Sequence, residues 1–210
     1  MTEVYLNSKF VGAIDNPIEF VQKIREERRK GIITENLNVY YNEKANEIQL
    51  EGSKGRARRP LIIVRDGIPL LTERHIKQLE KNEISWSDLV KQGVIEYLDA
   101  AEEENTLIAF FESELTPEHT HLEITPLAML GYCTSLVPYA NFNQSTRLNA
   151  GSKNQKQALG FYASNFAVRM DMDVNILYYP QQPVVNTIMH DISNYNKHPA
   201  GQNIVVAIMS

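Results

Sequence analysis

Charged residues are distributed unevenly along this chain of 210 residues. Residues 119–210 contain four acidic and five basic residues, a balance of +1, and because the whole chain carries −5, residues 1–118 carry −6. The second part is instead rich in Asn, Gln, Tyr, Met and Pro. The two parts are therefore expected to face different environments, and the amide-rich second part is expected to form an interface.

Composition excludes several classes of protein. A content of 43% hydrophobic and 22% charged residues is typical of a globular chain with one to three domains. No run of 18 apolar residues and no signal-peptide pattern is present, so we expect neither a membrane span nor export. Cys133 is the only cysteine, which excludes an internal disulfide and a multi-cysteine zinc site. The net negative charge argues against a simple DNA-binding module.

Residues 1–66 predict a small α+β module. The predicted elements are a strand pair in residues 4–14, a helix that begins after Asn16 and ends before Gly31, a hairpin of residues 37–41 and 47–52, and a strand at residues 61–64. Pro17 in the first helical turn and Glu19 at the capping-box position support the helix start. The basic residues 28–30 suit the C-terminal end of a helix dipole, and we interpret them as a solvent-facing helix end.

Residues 67–117 predict a second small module. Thr72 and Ser85 can each cap a helix, the first extending through Leu79 and the second stopping before Gly93. Residues 94–98 and 106–111 predict strands. The acidic run at residues 99–104 lies between them, and we interpret it as a solvated turn, because adjacent glutamates usually point apart and do not converge on a metal.

No self-contained active site follows from motifs. The sequence has no phosphate-binding glycine loop and no nucleophile elbow, and Cys133 is interpreted as buried packing. His119 and His121 would share a face if their segment is a strand, which leaves a zinc pair or a hydrolase that also uses Glu118 as open alternatives. The carboxylates that show no partner at a useful spacing are Glu118, Glu123, Asp171 and Asp173.

One segment concentrates donors for phosphate and sugar oxygens. Within residues 141–160, Arg147, Lys153 and Lys156 lie among seven Asn and Gln residues. Arginine offers a planar fork for phosphate, whereas lysine acts as a point charge. From these residues alone, a nucleic-acid contact and an amide-rich surface loop before a helix both stay open.

Six collinear blocks carry a resemblance to a known family. They are GRARRPLIIVRDGIPLL at 55–71, VIEYLDAAEEENTLIAF at 94–110, EHTHLEI at 118–124, LGYCTSLVPYANFNQSTR at 130–147, KQALGFYA at 156–163 and PAGQNIVVAI at 199–208. Together they resemble the second-largest subunit of archaeal and eukaryotic-type DNA-directed RNA polymerase, over nearly the whole chain. The resemblance implies an internal fragment of a subunit several times longer.

The resemblance implies an α+β, multi-module fold. Residues 1–66 would be external domain 1, residues 67–117 external domain 2, both small mixed α/β domains, and residues 118–210 the truncated start of the β-rich hybrid-binding domain with its double-psi barrel. The outer modules would face solvent, whereas the third segment would face nucleic acid and other subunits. His121 and Glu123 match a segment that we interpret as structural.

The resemblance also implies roles for individual residues. Arg147 matches the arginine near the triphosphate of the incoming nucleotide. Lys153, Lys156 and Gln157 are expected to line the path of the RNA–DNA hybrid, and Asn143 and Gln144 to hold the loop that positions Arg147. The chain departs from the family pattern at Thr146, where proline is more common, and at Gln155, which replaces a hydrophobic residue.

The implied function is template-directed RNA synthesis from nucleoside triphosphates by a multisubunit nucleotidyltransferase. Its Mg²⁺ is expected on the largest subunit and not on this chain, which would hold no catalytic residue and would be inactive alone. Expected partners are the largest subunit, smaller assembly subunits, template DNA, the hybrid and nucleotide, but no membrane, in the cytoplasm with the nucleoid or in a nucleus. A stand-alone, non-catalytic assembly or binding module derived from the subunit is the alternative.

Overall fold

The computed structural model describes residues 1–160 and 162–209. The chain divides into two compact units, unit 1 at Met1–Pro126 and unit 2 at Leu127–Ser210. Both helices and sheets are present, so the fold class is α+β. Of the helices in the described ranges, none combines the length and apolar character needed to cross a bilayer.

The first sheet of unit 1 has four strands and one helix packed against it. The elements are β1 Thr2–Leu6, β2 Lys9–Ile14, α1 Pro17–Arg29, β3 Asn38–Asn42 and β4 Glu47–Glu51. The strand order is β2-β1-β4-β3, and β1 and β4 run parallel while the other pairs are antiparallel. The predicted strand pair, helix and hairpin of this region are therefore confirmed.

Helix α1 begins where the sequence predicts. The side chain of Asn16 accepts a hydrogen bond from the Glu19 backbone N–H at 3.4 Å and donates one to the Glu19 carboxylate at 2.9 Å. The helix presents Val21 to a core that also contains Val4, Val39 and Ile48. Burial of each such side chain contributes about 1.5–3 kcal/mol, which fixes α1 on the sheet.

The second sheet of unit 1 is organised around one long strand. Its strands are β5 Arg58–Arg65, β6 Ile68–Pro69, β7 Ile95–Asp99, β8 Ile108–Ala109 and β9 His121–Leu122. Strand β5 pairs antiparallel with β6, β7 and β9, and β8 runs parallel to β9. The strand predicted at 106–111 is present only as the short β8, because the backbone of Leu107 bonds to Thr120 instead.

The second sheet draws strands from all three predicted domains. Strand β5 lies in residues 1–66, β7 in residues 67–117 and β9 in residues 118–210. The predicted boundaries at 66 and 117 therefore both fall inside unit 1. The division into three domains stays a prediction of the resemblance.

Three short helices accompany the second sheet: α2 Glu73–Glu80, α3 Trp86–Lys91 and α4 Ala100–Glu103. The predicted cap of α3 is confirmed, because Asp88 accepts hydrogen bonds from the Ser85 backbone N–H at 2.8 Å and the Ser85 hydroxyl at 2.7 Å. Leu89 of α3 packs in a core with Val94 and Ile95.

Unit 2 is mostly helical and irregular. Its helices are α5 Gly131–Ser135, α6 Ser145–Gln157 and α7 Ile188–Ile192, with several 3-10 turns between them. In residues 127–160 and 162–209 the β-pairing is limited to one isolated bridge between Gly160 and Leu177, so these residues do not form the β-rich start that the resemblance implies. A strand needs a neighbouring strand for its backbone hydrogen bonds, and these residues supply none beyond that bridge. Cys133, interpreted as buried packing, is only partly buried.

Candidate nucleic-acid interface

The turn before α6 is held by local hydrogen bonds. Tyr139 adopts a left-handed conformation with φ of 51°, and the Asn143 side-chain amide donates to its carbonyl at 3.0 Å. Gln144 is the N-cap residue of α6, and its carbonyl accepts from the backbone N–H of Arg147 at 2.9 Å. Asn143 and Gln144 thus lie directly before the helix that carries Arg147, and Thr146 lies inside its first turn.

Helix α6 is an exposed, purely basic element. None of its 13 residues is buried, and it contains Arg147, Lys153 and Lys156 but no acidic residue. From residue 124 to residue 170 the chain has no Asp or Glu at all. Within the described parts of the chain these three cations are exposed and form no ion pair. Unpaired cations on one helix create a positive potential that attracts phosphate groups.

The helix separates the predicted site residues into two groups. At about 100° per residue, Lys153, Lys156 and Gln157 lie within an arc of about 100° on one side of α6. Arg147 precedes Lys156 by nine positions, which places it on the side opposite Lys156 and about 13 Å away along the axis, although it is only about 80° around the axis from Gln157. The three residues expected to line a hybrid therefore lie within one arc near the end of α6, and Arg147 lies in its first turn.

The two histidines of the zinc and hydrolase alternatives have different partners. His119 accepts a hydrogen bond from the Thr116 backbone N–H at 3.0 Å. His121 is buried, and its Nε2 lies 2.7 Å from the Glu96 carboxylate. Across residues 1–160 and 162–209, no group of three or more His, Cys, Asp or Glu side chains is arranged to hold a metal ion. These residues therefore do not fit a metal site for either alternative.

A buried ionic cluster in unit 1 corrects two predictions. Arg28 donates to both oxygens of Glu102 at 2.7 and 2.8 Å and to Glu96 at 2.7 Å, and Arg29 donates to Glu96 at 2.6 Å. The Arg28 and Glu102 side chains are only 3% and 1% exposed. The interpretation of residues 28–30 as a solvent-facing helix end is wrong for Arg28, and the interpretation of residues 99–104 as a solvated turn is wrong for Glu102.

The physical reason is that the two charged runs are partners. Helix α1 places Arg28 against Glu102 of helix α4 and against Glu96 of strand β7, and the opposite charges neutralise each other in the interior. Spacing along the chain contains no signal for this pairing. The available signal was compositional: an arginine-rich run in the predicted module 1–66 and a glutamate-rich run in the predicted module 67–117.

The GRARRP segment extends the same pairing. Arg56 bonds to Asp99 at 3.1 Å, and Arg59 bonds to Glu103 at 2.7 Å and also to Glu123. Glu123 is buried, which agrees with its interpretation as structural. The arginines on and beside β5 therefore attach this strand to the residues that follow β7 and β9.

The electrostatics favour the ionised forms of Glu96 and Arg28. Burial by itself raises the pKa of Glu96, but the hydrogen bond from His121 and the charges of Arg28 and Arg29 outweigh it and hold the pKa well below the usual range. Burial likewise opposes the charge of Arg28, yet the hydrogen bond and charge of Glu102 raise its pKa. Glu102 also accepts from the Asn38 amide at 2.6 Å, so its carboxylate is fully engaged.

Comparison with known proteins gives one consistent result. Family models match the chain in order: RNA polymerase Rpb2 domain 4 at residues 4–65, domain 5 at 86–126 and domain 6 at 133–210. Similar proteins include the DNA-directed RNA polymerase subunit Rpo2 of Sulfolobus acidocaldarius, 47% identical over all of this chain and 19% of its own length. The RNA polymerase III subunit RPC2 of Saccharomyces cerevisiae is 40% identical over 99% of this chain and 18% of its own. The chain spans about a fifth of the length of these relatives.

Proposed function

Because the chain belongs to the Rpb2 family of second-largest RNA polymerase subunits, we propose that it forms part of an enzyme that copies a DNA template into RNA. The observation that carries this proposal is the exposed basic helix α6, which has three unpaired cations and no acidic residue within the described chain. That helix lies in the segment matched by the domain 6 model. All charged residues of this helix are basic and none of its residues is buried, so it suits contact with phosphates.

Arg147 is proposed to bind the phosphates of the incoming nucleoside triphosphate. It sits in the first turn of α6, where no side chain caps the helix, so backbone N–H groups and the guanidinium offer donors at the same end. A guanidinium carries a fixed positive charge and cannot serve as a base. Its role would be to neutralise phosphate charge and to hold the leaving pyrophosphate in line.

Lys153, Lys156 and Gln157 are proposed to contact the backbone of the RNA–DNA hybrid. They share one side of α6 and are all exposed. Two point charges and one amide suit sugar and phosphate oxygens, which are the same for every base. Such contacts hold the hybrid without reading its sequence, as a transcribing enzyme requires.

The rest of the machinery is proposed to lie outside this chain. On the family resemblance, we propose that the largest subunit holds the Mg²⁺ of the assembled enzyme. Smaller assembly subunits and template DNA complete the proposed complex, which would reside with the nucleoid or in the nucleus. The isolated chain would then be inactive.

The test is Arg147→Ala in a reconstituted polymerase. Loss of one charge-assisted hydrogen bond is expected to cost about 1.5–3 kcal/mol of transition-state stabilisation. This lowers kcat/KM for nucleotide roughly ten- to a hundredfold and leaves assembly intact. Lys197→Ala removes an exposed cation of unit 2 outside α6 and is the matched control, expected to leave kcat/KM unchanged. An equal effect of both substitutions, or of neither, would contradict the role of Arg147.

A further inference from the structure

An open groove lies on unit 1 between helix α1 and strand β3. Its volume is about 760 Å³, within the range of protein ligand sites. Ile18 and Arg25 line it from α1, and Tyr40 and Tyr41 line it from β3. Ile18 is 61% exposed, so the groove combines an accessible apolar side chain with a guanidinium. The basic surface of α6 takes no part in this groove.

Arg25 has hydrogen-bonding capacity that its neighbours do not use. Its Nε donates to Glu102 at 3.1 Å, and in the described part of the chain this is the only acceptor for its side chain, leaving the buried Nη2 without one. A guanidinium carries five N–H donors, and the Arg25 side chain is 19% exposed in the groove lining, so its accessible part can still bind an anion. Glu102 cannot supply more, because Arg28 and Asn38 already occupy its oxygens.

The ionic cluster also carries an excess positive charge. It contains three arginines, Arg25, Arg28 and Arg29, against two glutamates, Glu96 and Glu102, which leaves +1. Of these three arginines only Arg25 lines the groove. Burial lowers the pKa of Arg25 in spite of the opposing charges of Glu102 and Glu96, as expected for an undercompensated cation. The excess charge is therefore presented at the wall of the groove.

The remaining charges of the groove select the kind of anion. Lys44 lines it together with Glu43 and Glu104, so the lining as a whole carries two positive and two negative charges. A nucleic-acid backbone, which binds surfaces that are mainly basic, would meet repulsion from both carboxylates. A peptide can place a single carboxylate on Arg25 and an apolar side chain against Ile18, and its backbone amides can approach the carboxylates.

We propose that this groove binds a peptide segment of a partner protein that presents an acidic side chain to Arg25 and an apolar side chain to Ile18. The inference is independent of the proposed nucleotide and hybrid contacts, because none of their residues takes part. It assigns a protein-docking role to the region matched by the Rpb2 domain 4 model. The excess charge of the cluster is neutralised when the segment binds.

The test uses two peptides that differ only in charge, acetyl-Leu-Glu-Leu-amide and acetyl-Leu-Gln-Leu-amide, titrated into the isotope-labelled chain. We expect the Glu peptide to shift the amide signals of α1 and β3 and to bind roughly tenfold or more tightly than the Gln peptide. Arg25→Gln is expected to abolish this difference. Equal affinities, or no shifts at millimolar peptide, would overturn the proposal.

A second variant covers the case in which Arg25→Gln does not fold. Ile18→Ser changes an exposed side chain and is expected to weaken both peptides, whereas Ile76→Ser, 46% exposed on α2 and outside the groove, should weaken neither. Unchanged binding to Ile18→Ser would contradict the apolar contact. A short uridine oligonucleotide is the competitor: displacement of the Glu peptide at equal concentration would overturn the choice of a peptide.

Discussion

At the scale of residues, local contacts were predictable and distant ones were not. The cap at Ser85 was predicted from sequence, and its partner Asp88 lies only three positions further along the chain. Arg28 and Glu102 are 74 positions apart, so each was interpreted without its partner and assigned to solvent. The same limit applies to Arg25, whose free donor edge depends on which oxygens of Glu102 are already taken.

Glu96 should control part of the acid stability. Its pKa is lowered in the folded chain, so the unfolded chain takes up this proton at higher pH. The stabilisation is complete above the ordinary value of 4.5 and is lost as the pH falls from there through the lower pKa of the folded chain. Denaturant unfolding at a series of pH values below 6 should show this slope, and it should flatten in Glu96→Gln.

Glu96→Gln should also lower the free energy of unfolding at pH 7 by about 3–5 kcal/mol, because it leaves the buried Arg28 and the partly buried Arg29 undercompensated. Glu80→Gln on the exposed surface of α2 is the control and should change little. A Glu96→Gln chain as stable as the parent would show that the cluster contributes no net stability.

At the scale of elements, helix starts followed the sequence, whereas strand bounds depended on pairing: β5 begins at Arg58, three positions before the predicted residue 61. Helix α1 begins after its predicted cap, whereas the strand predicted at 106–111 is cut to β8 because the backbone of Leu107 bonds to Thr120 instead. The sequence identified α6 only as part of a donor-rich segment. The placement of Arg147 and Lys156 on opposite sides follows from the helical geometry, which the structure supplies.

The lysine face of α6 should affect retention of the hybrid and not the use of nucleotide. Lys153→Ala with Lys156→Ala in a reconstituted polymerase is expected to reduce the salt dependence of hybrid dissociation by roughly one unit of slope per lost phosphate contact. The kcat/KM for nucleotide should stay unchanged, the reverse of the result expected for Arg147→Ala. An unaltered salt slope would remove these lysines from the hybrid path.

Gly93 fixes the approach of α3 to the end of α1. Its φ is +66°, and a Cβ atom there would lie 2.9 Å from the Arg29 carbonyl oxygen. Gly93→Ala should therefore cost about 1–3 kcal/mol of unfolding free energy. Gly12→Ala in β2 has open space around it and an ordinary φ, so thermal unfolding should show little loss. Equal melting temperatures for the two variants would contradict the close approach.

At the scale of the whole molecule, the sequence predicted the α+β class and a compositional division, but not where the cores lie. Within the described residues, all three hydrophobic clusters belong to unit 1. Among the described residues of unit 2, few apolar side chains are buried, namely Leu136, Ala140 and Pro199, and many of its large apolar residues are exposed. Composition could not show this, because both parts are rich enough in apolar residues to suggest a core.

The two units should differ in independent stability. Residues 1–126 alone are expected to unfold cooperatively, because they retain both sheets and every cluster. Residues 127–210 alone are expected to give poorly dispersed amide spectra, because too little apolar surface is buried to offset chain entropy. Circular dichroism melts and proton–nitrogen spectra of the two fragments test this. A cooperative melt of residues 127–210 would contradict it.

The separation of the ionic partners also sets an order of events during synthesis. All four strands of the first sheet have been synthesised once the chain reaches Glu51. Glu102, the partner of Arg28, is synthesised later, 74 positions after Arg28. Glu102 follows Glu51 by 51 positions, which a ribosome adds in roughly 2.5–10 s at about 5–20 residues per second. For that interval the nascent chain carries an apolar nucleus that can already close and a row of arginines with no counter-charge. We expect the second sheet to join the first only after the acidic run has left the exit tunnel and can pair with the arginines.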